Sequence, residues 1–292
     1  MASTDLLPSW NDGPARTTIL EFVRSVTEPG DAFVPTQERI ATFDNDGTLW
    51  CEKPMYVQAD FLFRRWREMA EADPAKRQEQ PYKAVVEGDR EWLASILDHV
   101  PDLIKGVTEA YGGITTAAFE VAAREFFASA SHPTLAVPYS AVAYKPMREL
   151  IGLLDAHDFQ VYICSGGGRD FVRAVSEAIY GVPRERVIGS ATTIEYRDGD
   201  LYRTEGVEQP IDDGPGKVIH VWTRTGRKPV LAGGNADGDV QMLETARLAL
   251  LIHHDDDERE FAYDVGAEKA LAAGKDHGWT IVSMKEDFAT VF

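Results

Sequence analysis

Two aspartates two positions apart, Asp44 and Asp46, stand in the stretch ATFDNDGTLWCEKP at residues 41–54. Carboxylates that close repel each other, and their pKa values are driven apart, so one stays ionised while the other can hold a proton. Such a pair suits a nucleophile beside an acid, or a cation seated among oxygens. On its own an Asp-x-Asp turn is more often a solvated Asx turn. Three later stretches carry matching chemistry. Cys164-Ser165-Gly166-Gly167-Gly168 offers a hydroxyl and free amides, and Asp212-Asp213-Gly214-Pro215-Gly216-Lys217 offers an ammonium. Gly233-Gly234-Asn235-Ala236-Asp237-Gly238-Asp239 offers amide and carboxylate oxygens. Each is weak alone. The glycine run has Phe171 where a dinucleotide loop needs its third glycine, and Lys217, followed by Val218, does not complete a Walker loop. Together they supply a nucleophile, an acid, a charge clamp and metal ligands, the parts that phosphoryl transfer requires.

These stretches need elements to position them. Residues 39–43 (RIATF) read as a short buried strand that delivers Asp44, since Asp-Asn-Asp-Gly would break a helix at once. Residues 15–27 have the spacing of an amphipathic helix, stopped by Pro29-Gly30. From about 56 to 130 the apolar residues recur at helical spacing and no run reads as a strand. Afterwards strand and helix alternate, and three of the loaded stretches follow a strand. A hairpin signal, Arg197-Asp198-Gly199-Asp200, lies between two β-rich runs within 187–205. The expected fold class is α/β, a doubly wound, Rossmann-like parallel sheet with a ligand at the strand C-terminal ends. Residues 1–50 and 139–292 would form that core, with residues 51–138 inserted as an all-helical domain.

Composition limits the partners. The 292 residues are 44% hydrophobic and 27% charged, enough for a sizeable core, with a formal net charge of −18. So acidic a surface repels a phosphate backbone, which argues against nucleic acid. An anionic substrate would need local positive charge, from Lys217 or a metal. No apolar run approaches the ~18 residues of a membrane span, and the N-terminal stretch lacks a basic region followed by an apolar core. Two cysteines, Cys51 and Cys164, read as buried reduced thiols. A cytoplasmic protein is the expectation.

The order and placement of the four stretches resemble the haloacid dehalogenase-like superfamily of aspartate-nucleophile phosphatases, over about residues 39–252. The resemblance implies roles. Asp44 would attack phosphorus, and Asp46 would protonate the leaving alcohol and then activate water. Ser165 and the Gly166 amide would bind the phosphoryl oxygens, and Lys217 would neutralise their charge. Mg²⁺ would be held by Asp44, the Asp46 carbonyl and position 235, with Asp239 and Asp237 orienting its waters or Lys217. The family usually places an aspartate where this chain has Asn235, so weaker Mg²⁺ binding is expected. Asp46 argues for phosphate esters rather than carbon–halogen bonds. The helical insert and the β-rich pair resemble the phosphoserine phosphatase branch, where the insert is a cap over the site.

There the resemblance thins. That branch commonly has Ser where Gly47 stands, and its substrate-binding glutamate falls one position after Glu52, where this chain has Lys53. Glu52 could meet an amine, or Lys53 a second anionic group. The expected reaction is Mg²⁺-dependent hydrolysis of a small, unidentified phosphomonoester. Transfer to an alcohol acceptor, a phospho-ligand-binding protein that has lost turnover and, more weakly, a dinucleotide-binding oxidoreductase are the alternatives. His253-His254-Asp255-Asp256-Asp257 reads as a solvated acidic loop in preference to a second metal site, because adjacent side chains on an extended segment face opposite ways. Arg64, Arg65 and Arg67 read as a solvated face beside packed aromatics, and Trp50 and Tyr56 as packing near the hinge.

Overall fold

The computed structural model describes residues 6–96 and 99–292. Helix α1 (Pro14–Thr27) buries Ile19, Val23 and Val26 and leads to β1 (Ile40–Phe43), which is buried along its whole length. A continuous apolar run is what a central parallel strand covered on both faces requires. Five helices follow: α2 (Val57–Ala72), α3 (Tyr82–Glu87), α4 (Arg90–Ala94), α5 (Val100–Tyr111) and α6 (Thr116–Ser129). No strand separates them among the described residues. The chain then alternates through α7 (Lys145–Ala156), β2 (Gln160–Gly168), α8 (Arg169–Arg173), α9 (Ser176–Tyr180) and β3 (Val187–Ser190). A hairpin, β4 (Thr192–Arg197) and β5 (Asp200–Val207), precedes α10 (Pro215–Thr225), β6 (Leu231–Gly234) and α11 (Val240–Thr245). β7 (Leu248–His253), α12 (Glu268–His277), β8 (Thr280–Ser283) and α13 (Met284–Asp287) complete it.

The main sheet has six parallel strands in the order β3-β2-β1-β6-β7-β8. The chain winds outward from β1 to β3, then returns to the other side of β1. The strand order therefore reverses between β1 and β6, the point at which doubly wound folds bind ligands. Phe43 is level with Ile163 on β2 and with Gly233 on β6. The next residue of each strand, Asp44, Cys164 and Gly234, stands at the same tip.

Two expectations are corrected. The strand β2 does not stop before the glycines. It runs through Gly168, with a register shift between Ser165 and Gly168 where it pairs with β3. The β-rich stretch is also divided: residues 187–190 join the main sheet, and only 192–207 form the hairpin. Its turn holds Asp198 at φ 52° and Gly199 at φ 90°, the left-handed backbone that Asp-Gly turns supply.

The helical segment is built around aromatics. Phe61 stacks on Tyr111 at 4.8 Å between centroids and meets Phe119 and Phe126 edge-on. Phe171, on α8 of the core, closes this cluster from below, 5.1 Å from both Phe61 and Phe127. The hairpin also leans on the segment: the Gly113 amide donates to Arg203 O and the Arg203 amide to Ile114 O. The inserted unit is thus all-helical in its own sequence but completed by a strand from elsewhere. The arginines of α2 lie as expected, Arg64 and Arg65 half exposed and paired with Asp60 and Glu68. No helix among the described residues is long and apolar enough to cross a membrane.

Candidate active site

The floor of the site is a buried ion cluster at the tips of β1 and β6. Lys217, in the first turn of α10, donates from Nζ to Asp44 Oδ1 at 2.5 Å and to Asp239 Oδ1 at 2.6 Å. Asp239 is itself fixed, because its Oδ2 accepts the amides of Asn235 (2.9 Å) and Ala236 (3.0 Å). Thr48 donates its hydroxyl to Asn235 Oδ1 at 2.9 Å. Asp44, Thr48, Lys217, Asn235 and Asp239 are all buried. Five residues from three separate sequence stretches therefore meet in one place.

The charges in that place do not cancel. Asp44, Asp239 and nearby Asp46 bring three carboxylates against the single ammonium of Lys217. Burial, then the Asp239 carboxylate, push Asp44 well above the usual carboxylate range, with Lys217 opposing. Burial works against the Lys217 charge, but Asp239 and Asp44 outweigh it and hold the ammonium strongly protonated. A buried site short of positive charge is a fit for a divalent cation. The donors match a hard ion: carboxylate oxygens and, at Asn235, an amide oxygen. Among the described residues no three His, Cys, Asp or Glu side chains gather as a metal group, here or elsewhere, so the fit at this site rests on the Asn235 amide oxygen beside the carboxylates.

Gly47 explains how Asn235 comes so near. Its φ is +76°, a left-handed conformation that side chains resist, and a Cβ there would fall inside the Asn235 carboxamide. His254 secures the same turn from behind. Its Nε2 lies 2.8 Å from the Gly47 carbonyl and its Nδ1 3.2 Å from Glu260, which also accepts the Tyr144 hydroxyl at 2.8 Å. His254 and Asp256 are buried, so the solvated-loop reading of residues 253–257 is wrong for both. The alternation argument was sound: His253 faces out and His254 in. What it lacked was the destination.

Asp46 differs from Asp44. Trp50 Nε1 donates to its Oδ1 at 2.8 Å. Its pKa is pushed up to about 6, chiefly by burial and further by the Glu52 carboxylate, with the Trp50 bond opposing. Trp50 is thus both packing and a partner of the acid. Glu52 is buried, accepts the Tyr263 hydroxyl at 2.7 Å and has the Lys53 ammonium 3.7 Å away. That ammonium lies 4.3 Å over the Tyr263 ring. Ser165 is fully buried on β2, where its Oγ accepts the Gly167 amide at 3.1 Å. Gly166 follows it at the strand tip.

One assigned residue is elsewhere. Asp237 Oδ1 accepts the amides of Lys269 (2.9 Å) and Ala270 (3.0 Å), so it caps the start of α12 rather than standing beside Lys217. An aspartate in a glycine-rich loop suits either task, and only the position of α12 distinguishes them. Two residues outside the predicted site face it: Tyr56, read from the sequence as packing, and Gln58, which no motif marks. Burial, then the carboxylates of Glu52, Asp46, Asp44 and Asp213, push the Tyr56 phenol above its ordinary value. Gln58, in the first turn of α2, accepts the Gly168 amide on Oε1 at 2.6 Å. Neither belongs to a motif, and no spacing in the sequence marks them.

The cysteines are free and buried as expected, Cys51 near Lys53 and His132, and Cys164 with its thiol 3.3 Å from Asp212 Oδ2.

Comparison with known proteins agrees with this arrangement. A family profile described as haloacid dehalogenase-like hydrolase matches residues 41–244, a span that holds Asp44, Ser165, Lys217 and Asp239. No curated protein matches the chain. Among solved structures, a conserved, functionally unknown protein from Anaerococcus prevotii DSM 20548 is 13% identical, covering 94% of each chain with a TM-score of 0.60. A protein of unknown function from Bordetella pertussis Tohama I is 17% identical over 84% of this chain and 98% of its own, with a TM-score of 0.53. A phosphoserine phosphohydrolase-like protein from Francisella tularensis subsp. tularensis SCHU S4 is 17% identical over 84% and 94%, with a TM-score of 0.46. At such identities the first two speak for the fold alone. The family match covers most of the chain and all four loaded loops, and the chain belongs to the haloacid dehalogenase-like hydrolase family.

Proposed function

We propose that the protein hydrolyses a small phosphomonoester in two steps, through an aspartyl-phosphate on Asp44. The observation that carries this reading is the contrast between the two carboxylates. Burial raises both, but the Asp44 oxygen is bonded to the Lys217 ammonium, which favours its ionised form. Asp46, two residues on, is bonded instead to the neutral Trp50 indole and, raised to about 6, can hold a proton for a leaving group. In the first step an ionised Asp44 oxygen attacks phosphorus, the ester P–O bond breaks, and the departing oxygen takes the Asp46 proton. In the second, Asp46 takes a proton from water as its oxygen attacks the same phosphorus. Phosphate leaves and the Asp44 carboxylate is restored. Ser165 and the Gly166 amide orient the phosphoryl oxygens, and Lys217 offsets their charge.

Asp44, the Asp46 carbonyl and Asn235 would hold Mg²⁺. When bound, the ion would supply the missing positive charge and polarise the phosphoryl group. Asp239 orients Lys217, and Asp237 acts only through the helix it caps. Lys53 already stands as an ammonium beside Glu52, which makes Glu52 a tuner of Asp46 rather than a receptor for a substrate amine. The inserted helical segment, residues 51–138, would exclude water from the site and read the organic part of the substrate.

The test is phosphate release from p-nitrophenyl phosphate and a panel of phosphorylated metabolites with Mg²⁺, using Asp44→Asn as the blank. Turnover by the wild type and a loss of about 10⁴-fold or more in the variant support the reading. Near-wild-type turnover by Asp44→Asn overturns it.

A further inference from the structure

Gln58 lies outside every motif, yet it bridges the helical segment and the phosphoryl loop. Its Oε1 accepts the Gly168 amide at 2.6 Å. The position that a Cβ would take on Gly167 lies 3.2 Å from Gln58 Oε1, 3.2 Å from Ser165 Oγ and 3.5 Å from Asp46 Oδ2. The carboxamide, the phosphate-binding hydroxyl and the acid therefore converge on one small space. Gly168 leaves room for this, since a Cβ on it would be 2.5 Å from Gln58 Nε2. Gln58 is half-buried, so its Nε2, which has no protein acceptor among the described residues, keeps two donors for solvent or for an anion entering that space.

We propose that Gln58 is a further substrate-binding residue of the phosphoryl site, contributed by the helical segment. Its oxygen fixes the Gly168 amide, and its Nε2 donates to a phosphoryl oxygen of the bound ester. The inference rests on the phosphoryl-transfer reading above and adds a residue to it.

Two variants separate the donor from the brace. Gln58→Glu keeps an acceptor for the Gly168 amide but removes the donor. Gln58→Met keeps the length and adds no charge, but loses both. KM for an alkyl phosphate and inhibition by inorganic phosphate are measured with Mg²⁺ for both variants, the wild type and Asp44→Asn. The expected result is a rise in KM and in the phosphate inhibition constant, about tenfold or more for Gln58→Glu and several-fold for Gln58→Met, with a smaller change in kcat. A role confined to bracing predicts instead a lowered melting temperature for Gln58→Met, with both constants unchanged. If both variants keep KM and phosphate inhibition within twofold of the wild type, the role of Gln58 is overturned and Asp44 is untouched. Wild-type turnover by Asp44→Asn would overturn the phosphoryl site beneath it. Should Gln58→Met fail to fold, Gln58→Asn, which keeps a neutral carboxamide but withdraws it by one methylene, decides through the same two constants.

Discussion

The tip of the sheet and the helical segment above it solve different problems. At the tip, Lys217, Asp239, Asn235 and Thr48 are buried and bonded to one another, so the floor has one arrangement. The helical segment holds itself by aromatic packing around Phe61 and Phe171, and meets the site through few polar groups, chiefly Gln58. A preorganised floor suits charge that develops during a reaction. A roof packed on the core largely through aromatic side chains, with Gln58 as its polar link to the glycine run, suits an element that adapts to what enters beneath it. Precision is built into the floor and adaptability into the roof.

The strongest way to break this contrast is at Lys217. Lys217→Met strands the buried carboxylates of Asp44 and Asp239, and should destabilise the fold by about 3–5 kcal/mol. It should also lower kcat by roughly 10²–10³-fold. Thermal unfolding and phosphate release measure the two effects. A variant as stable and active as the wild type would mean that the floor is not an interdependent cluster.

Asp46→Asn should cut kcat on alkyl phosphates by about 10²–10⁴-fold. Its effect on stability should have the opposite sign. The folded pKa of Asp46 is raised from 3.8 to about 6, so folding favours the protonated form. That contribution is complete below pH 4 and is lost as pH rises through about 6. The neutral amide should therefore stabilise the protein by about 1–3 kcal/mol at pH 7–8 and not at pH 4. Melting curves at both pH values decide it, and a gain confined to low pH would contradict the assignment.

The roof gives a purely structural counterpart. Phe171→Ala removes the side chain that seals the aromatic cluster from the core side, and should cost about 3–5 kcal/mol. It should raise KM more than it lowers kcat, because the floor is untouched. Equal losses in both would show that the floor depends on the roof.

The smallest expected effect lies at the metal position. Asn235→Asp adds a negative charge where a cation is expected, so half-maximal activity should come at lower Mg²⁺. A Mg²⁺ titration that is unchanged, or shifted to higher concentration, would argue against position 235 as a ligand.

Much of the floor was legible in the sequence, because residue type and position each carried information there. Asp44 follows a buried strand, Ser165 lies on β2 before the glycines and Lys217 stands in the first turn of α10, the places in the fold where the sequence put them. The Asp198-Gly199 turn was legible for the same reason: few residues tolerate that backbone. The misreadings share a different cause. Asp237 and His254 are of suitable type, but their partners, the α12 amides and the Gly47 carbonyl, lie about 30 and 200 residues away in the chain. Residues 187–190 have the same β-rich texture as the hairpin beside them, and only pairing with β2 assigns them to the main sheet. Gln58 acts through a contact 110 residues distant and no local pattern announces it. Roof residues are chosen for where a packed helix happens to place them, and spacing along the chain does not show that.

The central claim is that an Asp44 oxygen bonds to phosphorus during turnover. The most direct measurement is to quench the enzyme during turnover with borohydride, which reduces an acyl phosphate to an alcohol, and to map the peptides by mass spectrometry. Homoserine in place of aspartate at position 44, dependent on substrate and Mg²⁺ and absent from Asp46, is the predicted result. Continued hydrolysis with Asp44 unmodified, or the label on another carboxylate, would contradict it.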